Sequence, residues 1–162
     1  MKAAFLDRDG VINEDLGYVS KIEDFKFKKG IFELLGLLQK LGFVLFIVTN
    51  QSGIARGYYT KEDFIKLSEW MLKELKKRGI EIKEIEFCPH HPDITGECEC
   101  RKPKPGMILN LAKKYNIDLK NSIMIGDSDR DIQAAVNAGV TKTYKVEGEL
   151  YDTIKKIKKE FL

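Results

Sequence analysis

The feature that most limits the fold is an alternation of two periodicities. Five short apolar runs, Lys2 to Leu6, Phe43 to Val48, Ile82 to Phe87, Ser122 to Ile125 and Thr143 to Val146, are separated by segments with helical spacing. Strands interleaved with helical patterns predict βαβ units, and so an α/β, Rossmann-like three-layer sandwich around a mainly parallel five-stranded sheet. Ile31, Leu34, Leu35, Leu38 and Leu41 form one helical stripe, ended by Gly42; Phe64, Leu67, Met71, Leu72 and Leu75 form another, closed by Gly79. Thr60 with Asp63 three residues on is a capping-box pattern at the start of the second. Further helices are predicted from Met107 to about Tyr115, from about Asp129 to Ala138, and along the tail from Glu149. The stripes, with Trp70 and the methionines, are read as core.

With 162 residues, 43% of them hydrophobic and 33% charged, the chain is expected to form one domain over residues 1–162. Net charge is +3 and the lysines alternate with glutamates, so no basic groove for nucleic acid is expected. No apolar run reaches the roughly 18 residues of a membrane span. Met1-Lys2 leads at once into strand-like sequence, which leaves no room for a signal peptide and predicts a cytoplasmic protein. All three cysteines lie between positions 88 and 100, which suits a metal loop in a reducing compartment better than a disulfide framework.

The strand ends carry the chemistry. Open parallel sheets bind ligands beyond the carboxyl ends of their strands. The first run ends in Asp7-Arg8-Asp9-Gly10, and carboxylates at i and i+2 of an extended segment share a side, able to hold one cation or divide nucleophile and acid roles. Asp-Gly is also a plain turn signal. The second run ends in Thr49-Asn50-Gln51-Ser52-Gly53, a polar cluster that reads equally as an anion nest or as a turn. The fourth ends in Gly126-Asp127-Ser128-Asp129-Arg130-Asp131. Asp127 is favoured as a metal ligand beside Asp7; Asp131 is read as a supporting or capping residue, since acids also favour a helix N-terminus. Arg101-Lys102-Pro103-Lys104-Pro105 holds Lys102 between constraints on its backbone, although a solvated basic turn has the same composition. Two long connections, Arg8 to Lys29 and Cys88 to Pro105, leave the same edge of the sheet and should face each other across a cleft.

Taken in order, Asp7-x-Asp9, Thr49, Lys102 and Gly126-Asp127, the chain resembles the haloacid dehalogenase superfamily of phosphohydrolases. Longer strings are similar to the branch that contains the heptose-bisphosphate and histidinol-phosphate phosphatases: Asp7 through Asn13, Asp15 through Tyr18, Val48 through Gly57, Cys88 through Pro92, and Cys98 through Pro103. The resemblance covers nearly the whole chain. It implies a structural zinc in a loop over residues 88–100, held by Cys88, His90, Cys98 and Cys100, with His91 outside the set and a swap with His90 the less favoured alternative. Four N/S ligands complete a tetrahedron and leave no open position for catalysis.

The resemblance further implies that Asp7 attacks phosphorus to form an aspartyl-phosphate, while Asp9 protonates the leaving alkoxide and then activates water. Mg²⁺ would lie between the Asp7 and Asp127 carboxylates and the Asp9 carbonyl, with Thr49 and Lys102 on the phosphoryl oxygens. Such cations are physically required: two like charges about 4 Å apart repel by about 4 kcal/mol at an effective dielectric near 20. With 22 residues between Asp7 and Gly30, and 14 between Phe87 and Lys102, neither usual insertion site has room for a cap domain. Asp15, Tyr18, Asn50, Gln51, Ser52 and Arg101 are then the expected substrate-binding residues. The substrate is expected to be a small phosphorylated sugar, with C7 of heptose 1,7-bisphosphate the first choice, or a phosphorylated amino alcohol, with histidinol phosphate the alternative; the protein is expected to be a monomer. Two other classes compete: a receiver domain that holds its aspartyl-phosphate, and a zinc module without catalysis. Asp9 has no purpose in the first, and Mg²⁺-dependent phosphate release would exclude the second.

Overall fold

The computed structural model describes residues 1–162. Five strands, β1 (Ala3–Leu6), β2 (Val44–Asn50), β3 (Ile82–Cys88), β4 (Ile123–Gly126) and β5 (Lys142–Lys145), pair in parallel in the order β3-β2-β1-β4-β5. Each strand boundary lies within two residues of the sequence expectation. Six helices accompany them: α1 (Ile31–Lys40), α2 (Lys61–Lys76), α3 (Pro92–Thr95), α4 (Gly106–Tyr115), α5 (Asp129–Ala138) and α6 (Leu150–Phe161).

Strand side chains alternate between the two faces, so each face carries its own core. Ala4, Leu6, Leu45, Ile47, Ile123 and Ile125 join the buried stripes of α1, α2 and α6 on one face. Ala3, Phe5, Phe46, Val48 and Met124 meet α4 and α5 on the other. The central strand β1 is therefore apolar throughout, as a strand covered on both sides must be. The capping box forms as its spacing predicts: Asp63 N donates to Thr60 Oγ1, and Thr60 N to Asp63 Oδ2.

The short helix α3 was not expected. Pro92 stands at its first turn, where a missing N–H costs nothing, and His91 Nδ1 accepts from the Asp93 amide as its cap. His91 is thus committed to ending its own loop.

Chain direction across the sheet positions the functional groups. From β1 the chain proceeds to β2 and β3 on one side, then returns through α4 to β4 on the other. This reversal opens a crevice at the carboxyl ends of β1 and β4, the general place for a ligand in such sheets. Asp7 follows β1 and Asp127 follows β4.

Candidate active site

The crevice is a cavity of about 530 Å³, lined by 16 residues of which only two are hydrophobic. Carboxylates gather at one end. Ligand oxygens of Asp7, Asp127 and Asp131 lie within 4.8 Å of one another. Two glycines make that approach possible: a Cβ on Gly10 would stand 1.9 Å from Asp127 Oδ2, and one on Gly126 would stand 2.3 Å from Asp131 Cβ. Gly10 also has φ +91°, a conformation other residues rarely adopt.

The three acids are not equivalent. Asp131 uses both oxygens within the protein: Oδ1 pairs with Lys102 Nζ at 2.6 Å, and Oδ2 accepts from the Asp127 and Ser128 amides and the Ser128 hydroxyl. It completes the capping box of α5 and steadies the lysine. No other residue donates to the Asp127 carboxylate. Asp7 Oδ1 accepts from Lys102 Nζ at 2.9 Å, and no residue donates to its Oδ2. Asp9, expected to offer the ion its carbonyl, has a carboxylate that lines the cavity and is held by Arg8, Asn13 Nδ2 and Gln51 Nε2.

Burial raises the Asp7 carboxyl to about 7; Lys102 opposes the shift, while the Asp131 and Asp9 charges add to it. Asp127 is also raised, by burial and by the charges of Asp131 and Asp15. Burial works against the Lys102 ammonium, but Asp7 and Asp131 outweigh it and hold Lys102 above its ordinary value. The end of the cavity is thus short of positive charge, the condition that favours a bound cation.

Lys102 reaches this end because its backbone is pinned. Asn50 at the end of β2 accepts from the Lys102 amide at 3.0 Å and donates to its carbonyl at 3.3 Å, while Nζ also donates to the Val48 carbonyl. Asn50, expected to bind substrate, spends both amide ends on this strut. Thr49 is 1% exposed and lies outside the cavity lining, its Oγ1 accepting from Gln51 Nε2 at 2.9 Å. Gln51 in turn accepts from the buried Tyr59 hydroxyl. Asp15, Tyr18, Asn50, Gln51, Ser52 and Arg101 all line the cavity.

Among the lining residues given no role from sequence are Arg56 and Arg130. Neither pairs with a carboxylate, and together with burial they lower the neighbouring Arg101 below its usual range. Three guanidiniums therefore share the cavity lining, near enough for the charges of two to act on the third. Arg56 belongs to the string Val48 through Gly57 without a role of its own there, because the turn that brings it round is set by the Arg56 amide donating to the Ser52 carbonyl.

Immediately before Arg101 the thiols and one imidazole converge. Cys88, His90, Cys98 and Cys100 place one ligand atom each within 4.8 Å of all the others. Cys88 Sγ is 3.5 Å from His90 Nδ1 and 3.6 Å from Cys98 Sγ; Cys100 Sγ is 3.3 and 3.6 Å from the same two atoms. The Cys88 and Cys100 sulfurs stand in direct contact. Zinc–sulfur bonds of about 2.3 Å in a tetrahedron set ligand separations of about 3.7 Å, so the donor set and four of its edges fit that ion.

Comparison with known proteins agrees with this chemistry. The chain is 51% identical over 162 residues to the D-glycero-alpha-D-manno-heptose-1,7-bisphosphate 7-phosphatase of Campylobacter jejuni, covering 97% of this chain and 92% of that one. It belongs to the HAD-like phosphatases. Within that family it is also 54% identical over 140 residues to the D-glycero-beta-D-manno-heptose-1,7-bisphosphate 7-phosphatase of Helicobacter pylori, covering 86% and 79% of the two chains. The HAD-hydrolase-like family profile matches residues 99–152. Among solved HAD-like phosphatases, the D,D-heptose 1,7-bisphosphate phosphatase from B. bronchiseptica, complexed with magnesium and phosphate, superposes with a TM-score of 0.83 at 30% identity, covering 99% of each chain. The receiver and the catalytically silent zinc module are thereby set aside: this HAD-like chain is an enzyme, a phosphatase. None of its helices is long and apolar enough to cross a membrane.

Proposed function

We propose that the whole chain acts as one Mg²⁺-dependent phosphatase domain that removes the C7 phosphate of D-glycero-D-manno-heptose 1,7-bisphosphate. The observation that carries the reading is that one cavity is lined by both kinds of charged group. Its lining holds acids and a lysine suited to phosphoryl transfer, and also Arg56, Arg101 and Arg130. Guanidinium forks bind phosphate by paired hydrogen bonds. A substrate with two phosphates would set one beside Asp7 and Lys102, with a bound cation offsetting the acids, and the other on the guanidiniums. Histidinol phosphate would instead bring an ammonium toward three guanidiniums, and like charges repel. Relatives named for both heptose anomers support the sugar bisphosphate.

In this reading Asp7, free at Oδ2, attacks phosphorus; the Asp7–phosphorus bond forms as the bond to the C7 oxygen breaks, and Asp9 gives that oxygen its proton. Water then attacks the aspartyl-phosphate, and Asp9 takes the proton back. Asp7, Asp127 and the Asp9 carbonyl would hold Mg²⁺, which when bound offsets the charge of carboxylate and phosphate. Lys102 supplies a fixed positive charge beside the reacting oxygens, and Thr49, buried behind Gln51, supports that wall. Cys88, His90, Cys98 and Cys100 would hold a structural zinc whose loop fixes Arg101 and Lys102, the two residues that follow it. The test is phosphate release with Mg²⁺ from both heptose 1,7-bisphosphate anomers and from histidinol phosphate. A kcat/KM for one of the bisphosphates at least about tenfold above that for histidinol phosphate is expected, each tenfold being about 1.4 kcal/mol at the transition state. Faster turnover of histidinol phosphate would overturn the proposal.

A further inference from the structure

Arg8 is the largest side chain enclosed by the protein, 2% exposed, and the mechanism above makes no use of it. Its Nε and Nη2 donate to Asp9 Oδ1 at 3.3 and 2.9 Å, and Nη2 also donates to the Val19 carbonyl at 2.8 Å. The guanidinium carbon lies 5.9 Å from the Phe25 ring centre and 5.8 Å from that of Phe64. Nη1 is buried with no partner. A buried ion pair of this kind is poor value for stability, since desolvating both charges costs as much as their attraction returns, and an orphaned N–H adds to the cost.

The pair is also asymmetric. Arg8 is sealed inside, whereas the Asp9 side chain is 23% exposed and lines the cavity. The Nε–Nη2 edge of the guanidinium therefore grips the carboxylate, and the same Nη2 also holds the backbone of the loop that carries Asp15 and Tyr18. Val19 is the residue that follows Tyr18.

We propose that Arg8 is a positioning residue: it aims Asp9 at the leaving oxygen and ties that aim to the seating of the 8–29 loop. This rests on the reading of Asp9 as the acid. A lysine at position 8 keeps the charge but lacks the planar fork that serves both partners at once. The loss should therefore appear where a proton must be delivered and vanish where none is needed. A primary sugar alkoxide needs a proton to depart; p-nitrophenolate does not.

The experiment is single-turnover release of the leaving group by Arg8→Lys and Asp9→Asn with Mg²⁺, using heptose 1,7-bisphosphate or another alkyl phosphate that the wild type hydrolyses, and p-nitrophenyl phosphate. General acid catalysis contributes roughly 10²–10⁴-fold, so Arg8→Lys is expected to slow alkyl release by about 10-fold to 10²-fold and aryl release by less than about threefold. Equal losses on both esters, or no loss on either, overturn the proposal. An Asp9→Asn enzyme with no split between the esters removes the acid assignment and the role of Arg8 with it; a split in Asp9→Asn but not in Arg8→Lys removes the role of Arg8 alone. Should Arg8→Lys fail to fold, Phe64→Leu loosens one wall of the slot with every hydrogen bond retained. It must show the same split in smaller form, and its absence counts against the proposal.

Discussion

Replacing Lys102 by methionine tests the electrostatic balance of the site most directly. Nζ is 2.9 Å from Asp7 Oδ1 and 2.6 Å from Asp131 Oδ1, donates to the Val48 carbonyl, and belongs to a side chain 3% exposed. Methionine keeps the buried stem and removes the charge, so two enclosed carboxylates and one carbonyl lose their donor together. Breaking a buried pair from one side costs about 3–5 kcal/mol. In a chain of this length about 1 kcal/mol moves Tm by roughly 2–4 °C, so the metal-free variant is expected to melt about 6–20 °C below the wild type at pH 8.

The gap should narrow toward pH 5, where Asp7, already raised by burial, becomes protonated and needs the lysine less. Mg²⁺ should recover part of the loss, because it meets the same negative charge. Phosphate release should still fall by about three powers of ten, the rate equivalent of about 4 kcal/mol of uncompensated repulsion. Thermal melts in EDTA and in Mg²⁺ at both pH values supply the measurement. A Lys102→Met protein that melts within 2 °C of wild type in EDTA at pH 8, against the roughly 6 °C minimum expected, would refute the reasoning.

Three further outcomes are expected. Gly10→Ala forces a Cβ into Asp127 Oδ2 from a backbone at φ +91°, so it should weaken Mg²⁺ binding in calorimetry and cost about 1–2 kcal/mol of stability; unchanged Mg²⁺ affinity would mean that Asp127 is not a ligand. Cys98→Ser should lower bound zinc below one per chain by metal analysis and reduce kcat, since Lys102 follows that loop; full activity without zinc would separate the loop from catalysis. Because the folded-state Asp7 carboxyl is raised from 3.8 to about 7, the folded protein binds more protons than the unfolded chain between those values, so its contribution falls as pH rises through that window. The Tm of metal-free wild type relative to Asp7→Asn should therefore decline from pH 4 to pH 7, and a rising difference would contradict the shift.

Much of this architecture was legible before any coordinates. Apolar runs of strand length separated by 3.6-residue stripes define parallel βαβ units, and Thr60 with Asp63 announces the start of α2, because these signals depend on neighbours in sequence. The acids at strand ends were legible for the same reason: β1 and β4 each carry their carboxylate one or two residues beyond an apolar run. The cysteine and histidine cluster lies within 13 consecutive positions, and the structure brings all four ligand atoms together.

What the chain alone could not disclose is how side chains share partners across long separations. Asp131 reads from sequence as a supporting or capping residue, but its neighbours in the chain do not show that Lys102 takes one of its oxygens while the α5 cap takes the other, or that Arg8, Asn13 and Gln51 hold Asp9. Arg56 and Arg130, 74 positions apart, line one cavity because the sheet order sets β2 and β4 on either side of β1. Local periodicity determines which elements form, since backbone hydrogen bonds and one-sided burial are satisfied within a few residues. Which charges end as ligand, strut or clamp is decided by the folded molecule, because a charge takes its role from whatever the whole chain places within a few ångströms of it.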